Sequence, residues 1–173
     1  FVSYIISQNN NVNRISYTVN LLAKRYGKPV IFNKKIYYLF PKLKKLRLLT
    51  CRQLRKCGCG FRDKYLKDAI NYVIKHKNYF DNLENLNSEE AVKELTHLTG
   101  IGTKVASCIL LFGYGRFDVF PVDTWVKKNI SNNYKHVKND TKSIVEFTKK
   151  TYKEYSGIAI QYMFNSARNM GQK

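Results

Sequence analysis

Acidic side chains are scarce in this chain: 12 Asp and Glu stand against 31 Lys and Arg, for a formal charge of +19. A field of that sign draws polyanions and speeds their encounter. An AT-rich genome would raise Lys, Asn, Ile and Tyr together, and so account for the lysines. It would not remove aspartate and glutamate. Long apolar runs are also missing, which excludes a membrane-spanning helix. Proline occurs three times, and there is no low-complexity linker or internal repeat. The four cysteines are Cys51, Cys57, Cys59 and Cys108. Cys57-Gly58-Cys59 is too tight for an easy disulfide and lacks zinc-ligand spacing. No four-cysteine iron–sulfur loop lies near the C-terminus. Reduced thiols in an intracellular protein follow, with Cys51, Cys57 and Cys59 filling space.

The 173 residues suffice for one domain or two helical subdomains. The sequence opens at Phe1, with Val2–Ile6 already helical in character and no basic start of a signal peptide. This reads as a beginning inside a larger protein. Val12, Ile15, Val19, Leu22 and Tyr26 share a helical face, and Gly27 is placed to end that helix. Ile36–Phe40 is strand-like, but Pro41 stops it and no partner strand is evident. Leu43, Leu46, Leu49 and Leu54 suggest short basic helices, broken at Gly58 and Gly60. Helix returns from Phe61 to about Lys77, with Tyr65, Ala69, Tyr72 and Val73 inward. Ser88 reads as an N-cap, with Glu89 and Glu90 in the first turn. Further helices are predicted from about Asp140 to Tyr155 and from Gly157 to Asn169, with a mobile connection around Ser131–Asn133. The expected class is all-α.

The sharpest local feature is Leu98-Thr99-Gly100-Ile101-Gly102-Thr103-Lys104-Val105-Ala106, read as helix, glycine hairpin, helix over about residues 94–113. Gly100 and Gly102 permit positive φ and close approach of a foreign backbone. The helix starting near Gly102 offers free amides to an anion. On DNA that anion is a phosphate, a contact that positions without reading sequence. A plain glycine-rich turn is the competing reading. Lys104, in the first turn, is disfavoured by the helix dipole. It is either a surface charge on phosphate or a nucleophile toward an electrophilic carbon. Phe120-Pro121-Val122-Asp123-Thr124-Trp125 then puts Asp123 at the N-cap of the next helix. A capped carboxylate is ionised and held, so it can also stabilise positive charge developing on a deoxyribose.

At these residues the chain resembles the helix–hairpin–helix DNA glycosylases, and within them the 8-oxoguanine DNA glycosylase/AP lyases of the bacterial, clostridial type. The likeness rests on the hairpin through Cys108, on Phe120–Lys128, on Gln8-Asn9-Asn10-Asn11-Val12-Asn13-Arg14, on Gly58-Cys59-Gly60-Phe61-Arg62-Asp63-Lys64-Tyr65 and on Gly157–Phe164. It implies two helical subdomains with an active-site cleft between them. It implies base flipping from damaged duplex DNA, attack by Lys104 on the sugar to give a Schiff base, β-elimination, and assistance by Asp123. Cys108 and Phe164 would sandwich the extruded base. Asn9, Arg14 and Arg62 would address the estranged cytosine, and Phe61 would wedge into the stack. Gly100, Gly102, Val105 and Trp125 join them as DNA contacts. The protein would act as a monomer associated with DNA, with no membrane partner and no cofactor, apart from a Na+ or K+ held by the backbone of Thr96, Leu98 and Ile101.

Two departures from the family pattern stand out. Ile160 occupies the position where the family carries a glutamine that hydrogen-bonds the flipped base. The glutamine comes one residue later, at Gln161, about 100° around the helix. Ile160 is therefore expected to offer a branched apolar surface to the base edge. The family's upstream β-rich domain is also absent from this sequence. A glycosylase for another lesion, or a non-catalytic helix–hairpin–helix DNA-binding module, are the alternatives.

Overall fold

The computed structural model describes residues 1–170, with side chains through residue 166. It is dominated by helices and divides into two compact units. Among the described residues, one comprises residues 1–85 and 96–101, the other residues 86–95 and 102–170.

In the first unit, α1 (Val2–Ser7) and α2 (Val12–Tyr26) are followed by β1 (Pro29–Phe32), β2 (Lys35–Tyr38), α3 (Leu43–Arg47), α4 (Cys51–Lys56), α5 (Arg62–Lys75) and α6 (Tyr79–Asn85). The hub is α5, which packs against α1, α3, α4 and α6. Its buried side chains Leu66, Ala69, Ile70 and Val73 recur at helical spacing. Tyr65 and Tyr72, expected inward, are half-buried. The α2 stripe is rotated from the sequence reading. Thr18, Leu22 and Ala23 are buried, while Val12 is exposed. Gly27 does end α2, with extended φ, so no left-handed turn is needed there. Space is the constraint: a Cβ at Gly27 would collide with the carbonyl oxygen of Leu39.

Ile36–Phe40 does have a partner. The antiparallel pair β1–β2 joins Pro29 to Tyr38 and Phe32 to Lys35. Asn33 and Lys34 form the two-residue turn with φ of 47° and 60°. This is the primed geometry that matches strand twist, usually signalled by glycine. With lysine at the second position, the signal is hidden.

The second unit contains α7 (Ser88–Thr96, save its last residue), α8 (Thr103–Tyr114), α9 (Thr124–Asn133), α10 (Thr141–Tyr152), a 3-10 turn (Lys153–Tyr155) and α11 (Ser156–Met170). Leu111, Phe120, Val126, Ile130, Ile144 and Ile160 form its core cluster. Ser131–Asn133, expected as a mobile connection, is the last turn of α9. Asn87, not Ser88, caps α7. Its Oδ1 accepts from the Glu90 amide at 3.0 Å, and its own amide donates to Glu90 at 3.1 Å. Ser88 instead donates to Asp118 at 3.0 Å.

Gly157 is held against the loop after α8. Its amide donates to the Phe117 carbonyl at 2.6 Å. A Cβ there would lie 2.7 Å from the Val119 carbonyl oxygen and 2.5 Å from Leu111 Cδ1. Gly157→Ala should therefore destabilise the protein by about 1–3 kcal/mol, as overpacking does. A urea unfolding midpoint equal to wild type would contradict this contact.

Candidate active site

The site is built from the start of α8. Its N-cap is Gly102, which offers no side-chain capping bond. The first amide to find an intrahelical partner is that of Ala106, bonded to the Gly102 carbonyl at 3.0 Å. The amides of Thr103, Lys104 and Val105 precede it and point out of the helix end, where the dipole favours an anion. A Cβ at Gly102 would meet nothing within 4 Å, so this approach is open. The Val105 side chain is buried, which leaves its amide as the group turned toward the open helix end. In the preceding turn, the Ile101 amide donates to the Leu98 carbonyl at 2.9 Å. Gly100 has φ +80°, and its α-carbon rests on Tyr65, whose ring would lie 2.5 Å from a Cβ. Tyr65 went unnoticed in the sequence as a support of the turn. The requirement for glycine at position 100 is its only trace there.

Lys104 is exposed, and Cys108 follows one turn later with its side chain buried. Burial pushes the Cys108 thiol above its usual range. The Lys104 charge pulls it back, as does a side-chain hydrogen bond from Lys104, while the Asp123 charge pushes it up. Both groups therefore act on one sulfur atom: Lys104, Cys108 and Asp123 share a locality. Asp123 caps α9, its Oδ1 accepting from the Val126 amide at 2.9 Å. Oδ2 makes no hydrogen bond among the described residues, so it is available to a developing cation.

On α11 the structure departs from the sequence reading. Ile160 is only 6% exposed and faces the core cluster with Val126 and Ile130. It does not present an apolar surface to solvent, because the helix needs that position to bury. Gln161, one residue round the helix, is exposed. It lines a hollow with Tyr162, Phe164 and Asn165. Phe164 is 43% exposed and also meets Trp125, Asn129 and Met163 across a shallow apolar dent.

The first unit carries the other set. Asn9 is exposed with φ 45°, and Arg14 is exposed in the first turn of α2, whose cap is Asn11. Phe61 is exposed, its ring edge-on to Tyr65 at 6.0 Å. Arg62 is buried, and its guanidinium donates to the carbonyls of Gln8 at 2.6 Å, Asn9 at 2.7 Å and Cys59 at 3.3 Å. Its plane also lies 4.4 Å from the Phe61 ring centroid. Burial, then the neighbouring Arg14 charge, lowers its pKa from the ordinary arginine value. Nearby, Cys59 is pushed up to about 12, chiefly by burial. Cys57 and Cys59 are fully buried and Cys51 half-buried, in keeping with space-filling. Among the described residues there is no helix long and apolar enough to cross a membrane, and no His, Cys, Asp and Glu cluster suited to a metal.

Comparison with known proteins gives this arrangement a family. Residues 2–154 match the HhH-GPD superfamily of base excision DNA repair proteins. The 8-oxoguanine glycosylase/lyase of Clostridium acetobutylicum, solved with double-stranded DNA containing cytosine opposite 8-oxoguanine, superposes with a TM-score of 0.91 at 36% identity. That match covers 98% of this chain and 59% of the other. An N-glycosylase/DNA lyase of Arabidopsis thaliana is 31% identical over 77% of this chain and 37% of its own length. One from Saccharomyces cerevisiae is 28% identical over 79% and 41%. The chain thus spans less than two thirds of each of these relatives.

The shared field around Cys108 has a direct test. Removing the Lys104 charge raises the thiol pKa further, so Lys104→Gln should slow alkylation of Cys108 by iodoacetamide in mildly alkaline buffer. Removing the Asp123 charge lowers that pKa, so Asp123→Asn should speed it. Peptide mass spectrometry reads both rates. Equal rates in all three proteins would show that these side chains do not act on one sulfur. With its hairpin helix, its capped aspartate and this match over most of its length, the chain belongs to the HhH-GPD superfamily of base excision DNA repair proteins.

Proposed function

We propose that this chain carries the catalytic region of a bifunctional DNA glycosylase/AP lyase that removes 8-oxoguanine from duplex DNA. The observation that carries the reading is the uncapped start of α8, which bears Lys104 and, one turn on, Cys108, together with the capped Asp123 whose charge also acts on that thiol. The free amides of α8 hold a phosphate of the damaged strand. Lys104 Nζ, once deprotonated, attacks C1′ as the bond to the base breaks and its electrons leave with the base. Ring opening gives a Schiff base, and β-elimination then cuts the strand. Asp123 stabilises the cationic sugar while remaining the cap of α9. Cys108, a neutral thiol, and Phe164 flank the extruded base.

Arg14 and Asn9 address the base left opposite, and Phe61 fills the gap in the stack. Arg62 acts at that base through position, holding the Gln8 and Asn9 carbonyls with its own donors. The chemistry of Lys104 calls on no organic cofactor. The carbonyls of Thr96, Leu98 and Ile101 suit a hard monovalent cation. Leu98 keeps a second lone pair beyond its bond to Ile101, so Na+ or K+ would brace the turn. The protein acts as a DNA-associated monomer.

Lys104→Gln should abolish borohydride-trapped adduct on an 8-oxoguanine duplex, with duplex affinity within about twofold of wild type. Asp123→Asn keeps a capping oxygen, so its melting temperature should change little while excision slows by about a hundredfold, the scale of a lost electrostatic stabiliser. Normal trapping by Lys104→Gln would remove the nucleophile. Absence of trapping in the wild type as well would leave a DNA-binding module.

Base recognition falls to Gln161, the exposed polar group beside Phe164. Gln161→Ala should lower the ratio of 8-oxoguanine to guanine excision. Ile160→Gln should instead destabilise by about 2–4 kcal/mol, because it buries an amide in the core cluster and removes apolar packing. A stable Ile160→Gln variant with improved selectivity would return the reading role to position 160.

A further inference from the structure

The β1–β2 ribbon buries almost nothing. Every residue from Ile31 to Phe40 is exposed, Ile31 by 78% and Phe32 by 65%. Ile36, Tyr37, Tyr38, Leu39 and Phe40 are bare as well. Phe32 and Tyr37 touch each other edge-on, 6.5 Å between centroids, on the strands that flank the tip. So large an exposed apolar surface marks an interaction site.

Charge indicates what covers it. From Phe1 to Arg62 the sequence contains no aspartate or glutamate, and Asp63 is the first acid in the chain. Lys28, Lys34 and Lys35 frame the ribbon, and Lys42, Lys44 and Lys45 follow it. Lys34 holds φ 60°, a conformation that glycine adopts without strain. A lysine there keeps a charge at the tip at a cost in backbone energy. Aromatic rings interleaved with lysines, and no acid to repel phosphate, suit a strand whose bases are unpaired and free to stack.

We propose that the β1–β2 ribbon is a second nucleic-acid site, which binds single-stranded DNA by stacking bases on Phe32 and Tyr37 and pairing phosphates with Lys34 and Lys35. It lies in the unit that does not contain Lys104, and it does not depend on the catalytic reading. Such a site would retain the enzyme on DNA with frayed or displaced strands.

The test uses the whole chain, a fluorescein-labelled oligothymidylate and a short undamaged duplex, with affinities from anisotropy across a salt series. Phe32→Ala/Tyr37→Ala should weaken oligothymidylate binding by about tenfold or more, the scale of a lost base stack. Lys34→Gln/Lys35→Gln should reduce the magnitude of the slope of log affinity against log salt by about 1.4, which is about 0.7 for each phosphate that is no longer neutralised. Duplex affinity and melting temperature should stay near wild type in both, since these side chains lie outside the core. Unchanged oligothymidylate affinity in either double variant overturns the proposal. So do equal losses for oligothymidylate and duplex, which would make the ribbon part of a general duplex contact. Sedimentation that shows self-association lost in the aromatic variant, with oligothymidylate binding intact, would assign the ribbon to a protein interface and overturn it too. A wild type that fails to trap with borohydride leaves this titration readable, so the two readings fail separately.

Discussion

The hydrogen bond from the Val126 amide to Asp123 Oδ1 ties the second unit's fold to its chemistry. It satisfies an amide that α9 cannot bond internally, and so fixes where that helix begins. Val126 itself then enters the core cluster with Ile130, Ile144 and Ile160. The same carboxylate raises the Cys108 pKa against the pull of Lys104. One side chain thus sets a helix start, anchors a core residue at the correct rotation, and brings a negative charge to bear on the thiol that Lys104 also reaches. The capping bond holds the carboxylate in one orientation, so position and charge are supplied by the same side chain.

Burial decides much of the rest. In α11, a helix that must cover the core cluster gives up Ile160 to it and turns Gln161 and Phe164 outward. A residue-by-residue match to a relative fixes which type occupies a position. It does not fix which way the helix faces. With Ile160 committed to the core cluster, the next residue, Gln161, is the exposed polar group.

How far the sequence could be read varied from element to element. The hairpin, the Asp123 cap and the helices on either side were legible because each has a local cause: a glycine required at +80°, a carboxylate before a helix, an apolar stripe. The β1–β2 ribbon was half legible. Its second strand shows in Ile36–Phe40, but the first goes unread, because the turn carries Asn33-Lys34 where a glycine would have announced the hairpin. Asn87 displaced Ser88 as a cap because Ser88 found a distant partner in Asp118, and nothing within a few residues could reveal that. Tyr65 beneath Gly100 is likewise a tertiary contact with no periodic signature.

The Phe61-Arg62-Asp63 turn shows why residue identity alone underdetermines role. Read by resemblance, its arginine meets DNA. In the fold, that arginine is buried and its donors end on three backbone carbonyls. Asp63 beside it is also buried, bonded to Arg55 at 2.6 Å and to the Lys64 amide at 2.8 Å. Buried charges of opposite sign on successive residues persist only when each is fully hydrogen-bonded, since loss of one partner leaves an uncompensated ion. The turn is accordingly a rigid mount. It fixes Asn9 in its left-handed conformation from one side and projects Phe61 into solvent from the other. An exposed aromatic can act as a wedge only if its base does not yield, and here the buried pair supplies that resistance. The exposed ring proposed as the wedge and the buried arginine that mounts it are then neighbours, and the sequence alone does not distinguish them.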